Sequence, residues 1–141
     1  IRQFTQADQE KIAAIGHWFG GSGGLNAAGL GTDLDGVVCF HGGLTGVPAD
    51  RKLLKAKILV CNGGSDNFVP EADITTFKHQ LDSIGADYRF ISYPGATHAF
   101  TNPASTETGK KFNMPIEYNE AGDKASWNDM KGFLVNVFGK K

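Results

Sequence analysis

The hydrophobic residues of the chain are concentrated in four short runs, which we predict to be β-strands. They are residues 11–15 (KIAAI), 35–40 (DGVVCF), 57–61 (KILVC) and 88–93 (YRFISY). These runs lack the apolar and polar alternation of a strand that has one solvated face. The pattern is typical of a parallel sheet that helices cover on both faces.

Helical periodicity is clearest in residues 70–84, which carry one apolar stripe and end at a glycine stop signal. The stripe consists of Ile74, Phe77, Leu81 and Ile84. Residues 18–28 are predicted to turn into a helix of small side chains, and residues 123–138 to form a last helix. We expect the inner face of the last helix to consist of Trp127, Met130, Phe133 or Leu134, and Val137. Residues 1–10 are polar and compatible with a helix, whereas residues 101–121 are predicted to be a long loop.

Strands and helices therefore alternate along the chain, which indicates an α/β fold with a mostly parallel sheet flanked by helices. No internal repeat, low-complexity tract or linker interrupts this pattern. We therefore expect residues 1–141 to form a single domain, which is close to the commonest domain size.

Composition and charge narrow the classes of function. Of the 141 residues, 40% are hydrophobic and 21% are charged, and the net charge is −1. This balance gives no reason to expect a nucleic-acid or an anionic-membrane partner. No apolar run is long enough to span a membrane. The sequence shows no signal peptide and few cysteines, which favours a cytoplasmic location.

The residues that bind metals or phosphates are not grouped in the sequence. The histidines lack metal-ligand spacing, and the glycine run at 20–24 lacks the Lys-Ser/Thr pair of a phosphate-binding loop. Cys39 and Cys61 lie inside apolar runs and are predicted to be buried free thiols. We therefore expect neither a metal nor another cofactor.

Three candidate groups follow predicted strands, at the edge where function gathers in an open parallel sheet. A glycine-rich turn at 16–24 follows the first strand, Asp66 follows the third and His98 follows the fourth. An elbow, an acid and a histidine in this order match the catalytic triad of an α/β-hydrolase. In such a triad the histidine takes the proton of the nucleophile, and the acid fixes the histidine tautomer.

Five consecutive blocks of the sequence resemble the dienelactone hydrolase family of α/β-hydrolases. They are residues 12–21 (IAAIGHWFGG), 36–44 (GVVCFHGGL), 63–70 (GGSDNFVP), 93–103 (YPGATHAFTNP) and 118–127 (YNEAGDKASW). The resemblance implies hydrolysis of a small ester or lactone through a covalent acyl-enzyme, without a cofactor. It also implies that Asp66 is the triad acid, that His98 is the base, and that the backbone N–H of Phe19 is an oxyanion donor.

The sequence departs from the family pattern at the nucleophile. The family has cysteine, or sometimes serine, in the middle of G-x-C-x-G-G, whereas the run GHWFG at residues 16–20 puts Trp18 there. An indole cannot attack a carbonyl carbon. Family members are also longer and begin with several strands, so we expect a truncated α/β-hydrolase fold that lacks the N-terminal strands.

Several other residues border the predicted site. Ser22 fits the letters of G-x-S-x-G, but it falls about one helical turn past the elbow, where a small packing residue is the alternative. His17, His41 and Phe100 are predicted to contact the substrate. For His17 the alternative is a surface histidine, and for His41 it is a structural turn at the end of a strand.

Two functions remain open at this point. The first is a carboxylesterase that resembles the dienelactone hydrolases and acts on a small ester or lactone. The second is an inactive pseudoenzyme, or a fragment that associates with a partner chain. Without the first strands of the family, the elbow strand would have an unpaired edge, and a homodimer that pairs across it would cover that edge.

Overall fold

The computed structural model describes residues 5–139. Its centre is a four-stranded parallel sheet in which neighbours along the chain are also neighbours in the sheet. The strands are β1 (Ala13–His17), β2 (Gly36–Phe40), β3 (Lys57–Gly63) and β4 (Tyr88–Tyr93). The predicted α/β fold with a parallel sheet is therefore confirmed.

Four helices accompany the sheet, and they cover both of its faces. They are α1 (Phe19–Gly29), α2 (Glu71–Ile84), α3 (Ser105–Phe112) and α4 (Glu120–Phe138). Val37 and Val60 lie in the hydrophobic cluster formed with α1 and α2, whereas Val38 and Leu59 lie in the cluster formed with α4. Because β2 and β3 are buried on both faces, their sequences show no alternation.

The first strand lies two residues further along the chain than predicted. The sequence placed it at residues 11–15, but β1 is Ala13–His17, and one residue separates it from α1. Gly16 was expected to end the strand. It lies inside the strand instead, and only a glycine fits there, because a Cβ would come within 2.1 Å of the backbone carbonyl carbon of Gly20. Residues 5–10, whose composition is compatible with a helix, form turns instead, and residues 1–4 lie outside the described part of the chain.

The segment 101–121 was predicted to be a loop, and this prediction is wrong. It contains α3, and α4 begins at Glu120. The sequence of α3 (STETGKKF) has one large apolar residue, Phe112, which is exposed, so hydrophobic periodicity could not reveal the helix. Close packing holds α3 in place: a Cβ on Gly109 would overlap the carbonyl oxygen of Ile116.

The inner face of α4 also differs from the prediction, because Trp127 is 52% exposed. Phe133 and Leu134 pack against the core as expected. The buried residues of this helix are Gly122, Ser126 and Met130. Because two of these three residues are small, a hydrophobic pattern based on large apolar side chains predicted Trp127 for the inner face instead. Within residues 5–139, no helix is both long enough and apolar enough to cross a membrane.

Candidate active site

Asp66 and His98 form a buried pair at the carboxyl ends of β3 and β4. The Nδ1 atom of His98 lies 2.9 Å from Oδ2 of Asp66, and the two residues are 2% and 7% exposed. The other carboxylate oxygen, Oδ1, accepts a hydrogen bond from the backbone N–H of Phe68 at 2.8 Å. With Asp66 as acceptor, His98 carries its proton on Nδ1, and Nε2 is left as the basic nitrogen.

Two glycines allow the loops that carry this pair to approach each other. A Cβ on Gly63 would come within 2.6 Å of the carbonyl oxygen of Ala96, and a Cβ on Gly64 within 2.8 Å of the carbonyl oxygen of Tyr93. Backbone hydrogen bonds then join the loops, for example from Ser65 N–H to Ala96 O at 2.8 Å. The sequence GGSD therefore brings the carboxylate to the histidine.

Trp18 occupies a sharp turn between β1 and α1. Its φ of 48° and ψ of −117° lie where residues other than glycine are rarely found. The turn is held by hydrogen bonds from Trp18 N–H to Phe40 O and from Ser22 N–H to Trp18 O, both at 3.0 Å. This strained strand-to-helix turn has the form of a nucleophile elbow, with Trp18 at its apex.

The indole of Trp18 lies over His98. The two ring centroids are 5.0 Å apart with an interplanar angle of 84°. Phe68 and His41 also pack on the imidazole of His98, at 4.9 Å and 5.2 Å between centroids. Nε2 of His98 is buried in this arrangement and has no hydrogen-bond partner within the described residues. Three aromatic rings therefore surround the imidazole of the pair, and its Nε2 is shielded from solvent.

Thr101 joins two further histidines beside the elbow. Its Oγ1 lies 2.9 Å from Nδ1 of His17 and 2.9 Å from Nε2 of His41. The His17 ring is also stacked on Phe40, at 4.5 Å between centroids. Thr101 was not among the predicted site residues, because nothing in the sequence marks this threonine except its place in the block that contains His98.

Burial keeps both of these histidines neutral near pH 7. The pKa of His41 is lowered to about 4, first by burial and then by repulsion from His98 and His17. Burial also lowers the pKa of His17, although the carboxylate of Asp123 acts in the opposite direction. Both imidazoles can therefore donate through one nitrogen and accept through the other.

A cavity of about 490 Å³ opens beside the elbow, and we refer to it as the elbow cavity. Its lining consists of His17, Trp18, His41, Ala99, Thr101, Asn102 and Pro103. Two of the residues predicted to contact substrate, His17 and His41, thus line it. Phe100, the third, is fully buried and packs its ring on His41 at 5.5 Å, so it supports the cavity wall from behind.

The other candidate nucleophiles are placed away from the apex of the elbow. Ser22 lies inside α1, and its hydroxyl donates to the carbonyl oxygen of Trp18 at 3.2 Å. Cys39 and Cys61 are buried free thiols, as predicted, and burial raises the pKa of each to about 12.

The predicted oxyanion donor, Phe19, is the first residue of α1. The backbone N–H groups at the start of a helix have no acceptor within the helix, as an oxyanion donor requires.

No group of three or more His, Cys, Asp or Glu side chains in residues 5–139 has the geometry of a metal site.

Comparison with known proteins places the chain in a family. The sequence model of the dienelactone hydrolase family matches residues 1–138. The chain belongs to the dienelactone hydrolase family. Named members of this family are hydrolases.

Individual relatives agree with this assignment. An uncharacterized protein of Caenorhabditis elegans is 30% identical over 98% of this chain and 87% of its own length. A Salmonella typhimurium protein, provisionally named carboxymethylenebutenolidase, is 27% identical over 95% of this chain and 49% of its own length. The solved structure of a dienelactone hydrolase-like promiscuous phosphotriesterase from metagenomic libraries is 28% identical and has a TM-score of 0.85.

The chain spans about half the length of two of these dienelactone hydrolase relatives. It covers 54% of the phosphotriesterase chain, while 93% of this chain is matched.

Proposed function

We propose that this site is an ester- or lactone-hydrolase site of the dienelactone hydrolase type in which Trp18 blocks the covalent step. The observation that carries the proposal is the pairing of His98 with Asp66 at 2.9 Å, directly beneath the apex of a strained elbow. A buried acid–histidine pair at this point is costly to hold in place, and its chemical use is to accept a proton from the residue at the apex.

Each residue of the site has a defined role in the proposed reaction. With a thiol or hydroxyl at position 18, its proton would pass to Nε2 of His98 while its sulfur or oxygen attacks the substrate carbonyl carbon. Asp66 would stabilise the imidazolium, and the backbone N–H of Phe19 would donate to the oxyanion. The protonated His98 would then protonate the leaving alcohol, and water would release the acid from the acyl-enzyme.

Trp18 interrupts this reaction at its first step. The indole has no nucleophilic atom that could form an acyl-enzyme, and it packs at a steep angle against the imidazole, whose Nε2 is buried. The chain is therefore proposed to bind a small ester or lactone beside the elbow without hydrolysing it.

Hydrolysis of p-nitrophenyl acetate by the Trp18→Cys variant tests this proposal. We expect the native chain to show only the background rate, and the variant to show an initial burst followed by turnover, because the substitution supplies a nucleophile and clears the space above His98. Adding His98→Asn to the variant should lower the rate by about 10²- to 10⁴-fold, the usual contribution of a general base. Equal rates for the single and double variants would refute the proposed role of His98.

A second candidate function, association with a partner chain, is favoured by the free edge of β1. Within residues 5–139, β1 pairs only with β2, and two large apolar residues near it are exposed, Ile15 at 49% and Phe19 at 79%. Such an edge is a template for pairing with another chain.

The oligomeric state tests this second candidate function. Light scattering after size exclusion should detect a dimer that Ile15→Lys disrupts. The control Val135→Lys, on the exposed face of α4, should leave it intact. A monomer at all concentrations would exclude this candidate.

A further inference from the structure

The elbow cavity has no formal charge on its walls near pH 7. Its polar lining residues are two neutral histidines, Thr101 and Asn102, and the others are aromatic or aliphatic. No lysine or arginine lines it. A carboxylate that enters such a cavity loses hydration and gains no cation in return, whereas an ester carbonyl needs only one donor.

The Thr101 hydroxyl gives the cavity a directed hydrogen-bond chain. It lies 2.9 Å from one nitrogen of each of two neutral imidazoles, and a hydroxyl has a single proton to donate. Thr101 therefore donates to one histidine and accepts from the other. Nε2 of His17 and Nδ1 of His41 are the nitrogens left at the two ends of this chain.

Burial selects the direction of the chain. Nδ1 of His41 is buried and has no partner among the described residues. A buried N–H without an acceptor is rarer than a buried acceptor without a donor. His41 therefore carries its proton on Nε2 and donates to Thr101, and Thr101 donates to Nδ1 of His17. The proton of His17 then lies on Nε2, which makes His17 a hydrogen-bond donor at the cavity.

We propose that the elbow cavity binds uncharged carbonyl compounds, namely neutral esters and lactones, and that Thr101 is the positioning residue that makes His17 the donor to their carbonyl oxygen. The inference rests on the proposed function, which it deepens by naming the class of ligand. The stacking of His17 on Phe40 at 4.5 Å and the bond to Thr101 fix the ring from two sides, so the donor is held in place before the ligand arrives.

A matched pair of small lactones tests the ligand class. The probes are the methyl ester of γ-butyrolactone-γ-carboxylic acid, which is neutral, and the free carboxylate of the same acid. The Trp127→Phe variant leaves Trp18 as the only tryptophan, so the indole N–H signal of Trp18 in a nitrogen–proton NMR spectrum reports binding at the elbow cavity. We expect the neutral lactone to bind at least about tenfold more tightly than the carboxylate.

The role of Thr101 is tested in the same titration. Thr101→Val keeps the shape of the side chain and removes the hydroxyl, so it should weaken binding of the neutral lactone about fivefold, which is the usual worth of one hydrogen bond. Thr101→Ser retains the hydroxyl and should restore binding. A merely structural role would not separate the valine variant from the serine variant in this way.

The outcomes separate this inference from the proposed function. Equal or tighter binding of the carboxylate, or no shift with either probe at tens of millimolar, would overturn the ligand class. Equal affinities of the Thr101→Val and Thr101→Ser variants would overturn the role of Thr101. The proposed function depends on the p-nitrophenyl acetate assay of Trp18→Cys, so turnover there with no preference between the two lactones would reject only this inference.

Discussion

At the scale of the residue, the proposed function depends on the surroundings of His98. The imidazole has an acid partner at 2.9 Å and aromatic neighbours on its other sides. Its Nε2 atom is buried and has no hydrogen-bond partner among the described residues. A buried acceptor that is left unsatisfied calls for an explanation, and a catalytic role provides one. The elbow turn likewise persists although Trp18 must adopt a positive φ, which costs about 1 kcal/mol or more for a residue other than glycine.

The buried neutral His41 should make the stability of the chain depend on pH. Its pKa is about 4 in the folded chain, against 6.5 for an unperturbed histidine, so the unfolded chain binds a proton that the folded chain excludes. The contribution is complete above pH 6.5 and is lost as the pH falls towards about 4. It amounts to a few kcal/mol at most, at about 1.4 kcal/mol for each pKa unit.

Urea unfolding at pH values from about 7 down to about 4.5 measures this effect. In the native chain the free energy of unfolding should fall over this range, and in His41→Gln the fall should be smaller. His79→Gln is the matched control, because His79 is exposed on α2. If the His41→Gln variant lost as much stability as the native chain over this range, the burial argument for His41 would fail.

At this scale the sequence predicts the site in part. Asp66 and His98 follow strands whose carboxyl ends share one edge of the sheet, so their meeting could be expected from the chain order. Thr101 could not be predicted, because its two partners lie 60 and 84 residues away and only the folded chain brings them to one hydroxyl. Phe100 was assigned to the substrate from its block, but side-chain direction in a loop has no periodic signal, and the ring points into the core.

At the scale of elements, the junction of β1 and α1 depends on Gly16. A Cβ at this position would overlap the backbone carbonyl of Gly20, so alanine should force the strand and the helix apart. We expect Gly16→Ala to lower the free energy of unfolding by about 3 kcal/mol or more, at the upper end for overpacked sites.

Gly20→Ala is the matched control for that experiment. A Cβ on Gly20 meets nothing within 4 Å, and the residue lies in α1, where alanine favours the helix by about 0.5 to 1 kcal/mol over glycine. Chemical denaturation should therefore show the two substitutions moving stability in opposite directions. Similar effects from both would mean that the close approach at the elbow is not what requires glycine.

The elements that the sequence missed share a physical cause. α2 was predicted almost to the residue, because its stripe is made of large apolar side chains and Gly85 ends it in a left-handed conformation. α3 and the first half of α4 are buried through glycine and serine, whose burial depends on what they approach rather than on their own hydrophobicity. Hydrophobic periodicity reveals packing by large apolar side chains, but it does not reveal close packing by small residues.

At the scale of the whole molecule, one sheet separates two hydrophobic clusters. Cys39 belongs to the cluster beneath α1 and α2, and Cys61 to the cluster beneath α4. Both thiols are fully buried, and their pKa values are raised to about 12. Either thiol can therefore report on the opening of its own face of the sheet.

We expect the two thiols to react together, at the rate of global unfolding, because β2 and β3 are the interior strands of the sheet and neither face opens alone. Labelling with Ellman's reagent near neutral pH should be slow and single-phased in native buffer, and fast for both thiols in denaturant. A native-state phase that labels one thiol rapidly would show that one layer opens independently.

The protection of these two thiols makes possible the most direct test of the central claim, that His98 is placed to take a proton from position 18. The measurement is the rate of alkylation of the Trp18→Cys variant by iodoacetamide as a function of pH, compared with the same variant carrying His98→Asn. With His98 present, the introduced thiol should react with an apparent pKa at least about one unit below the ordinary 8.5. Without His98 that pKa should return towards the ordinary value. Superimposable pH profiles for the two variants would contradict the account.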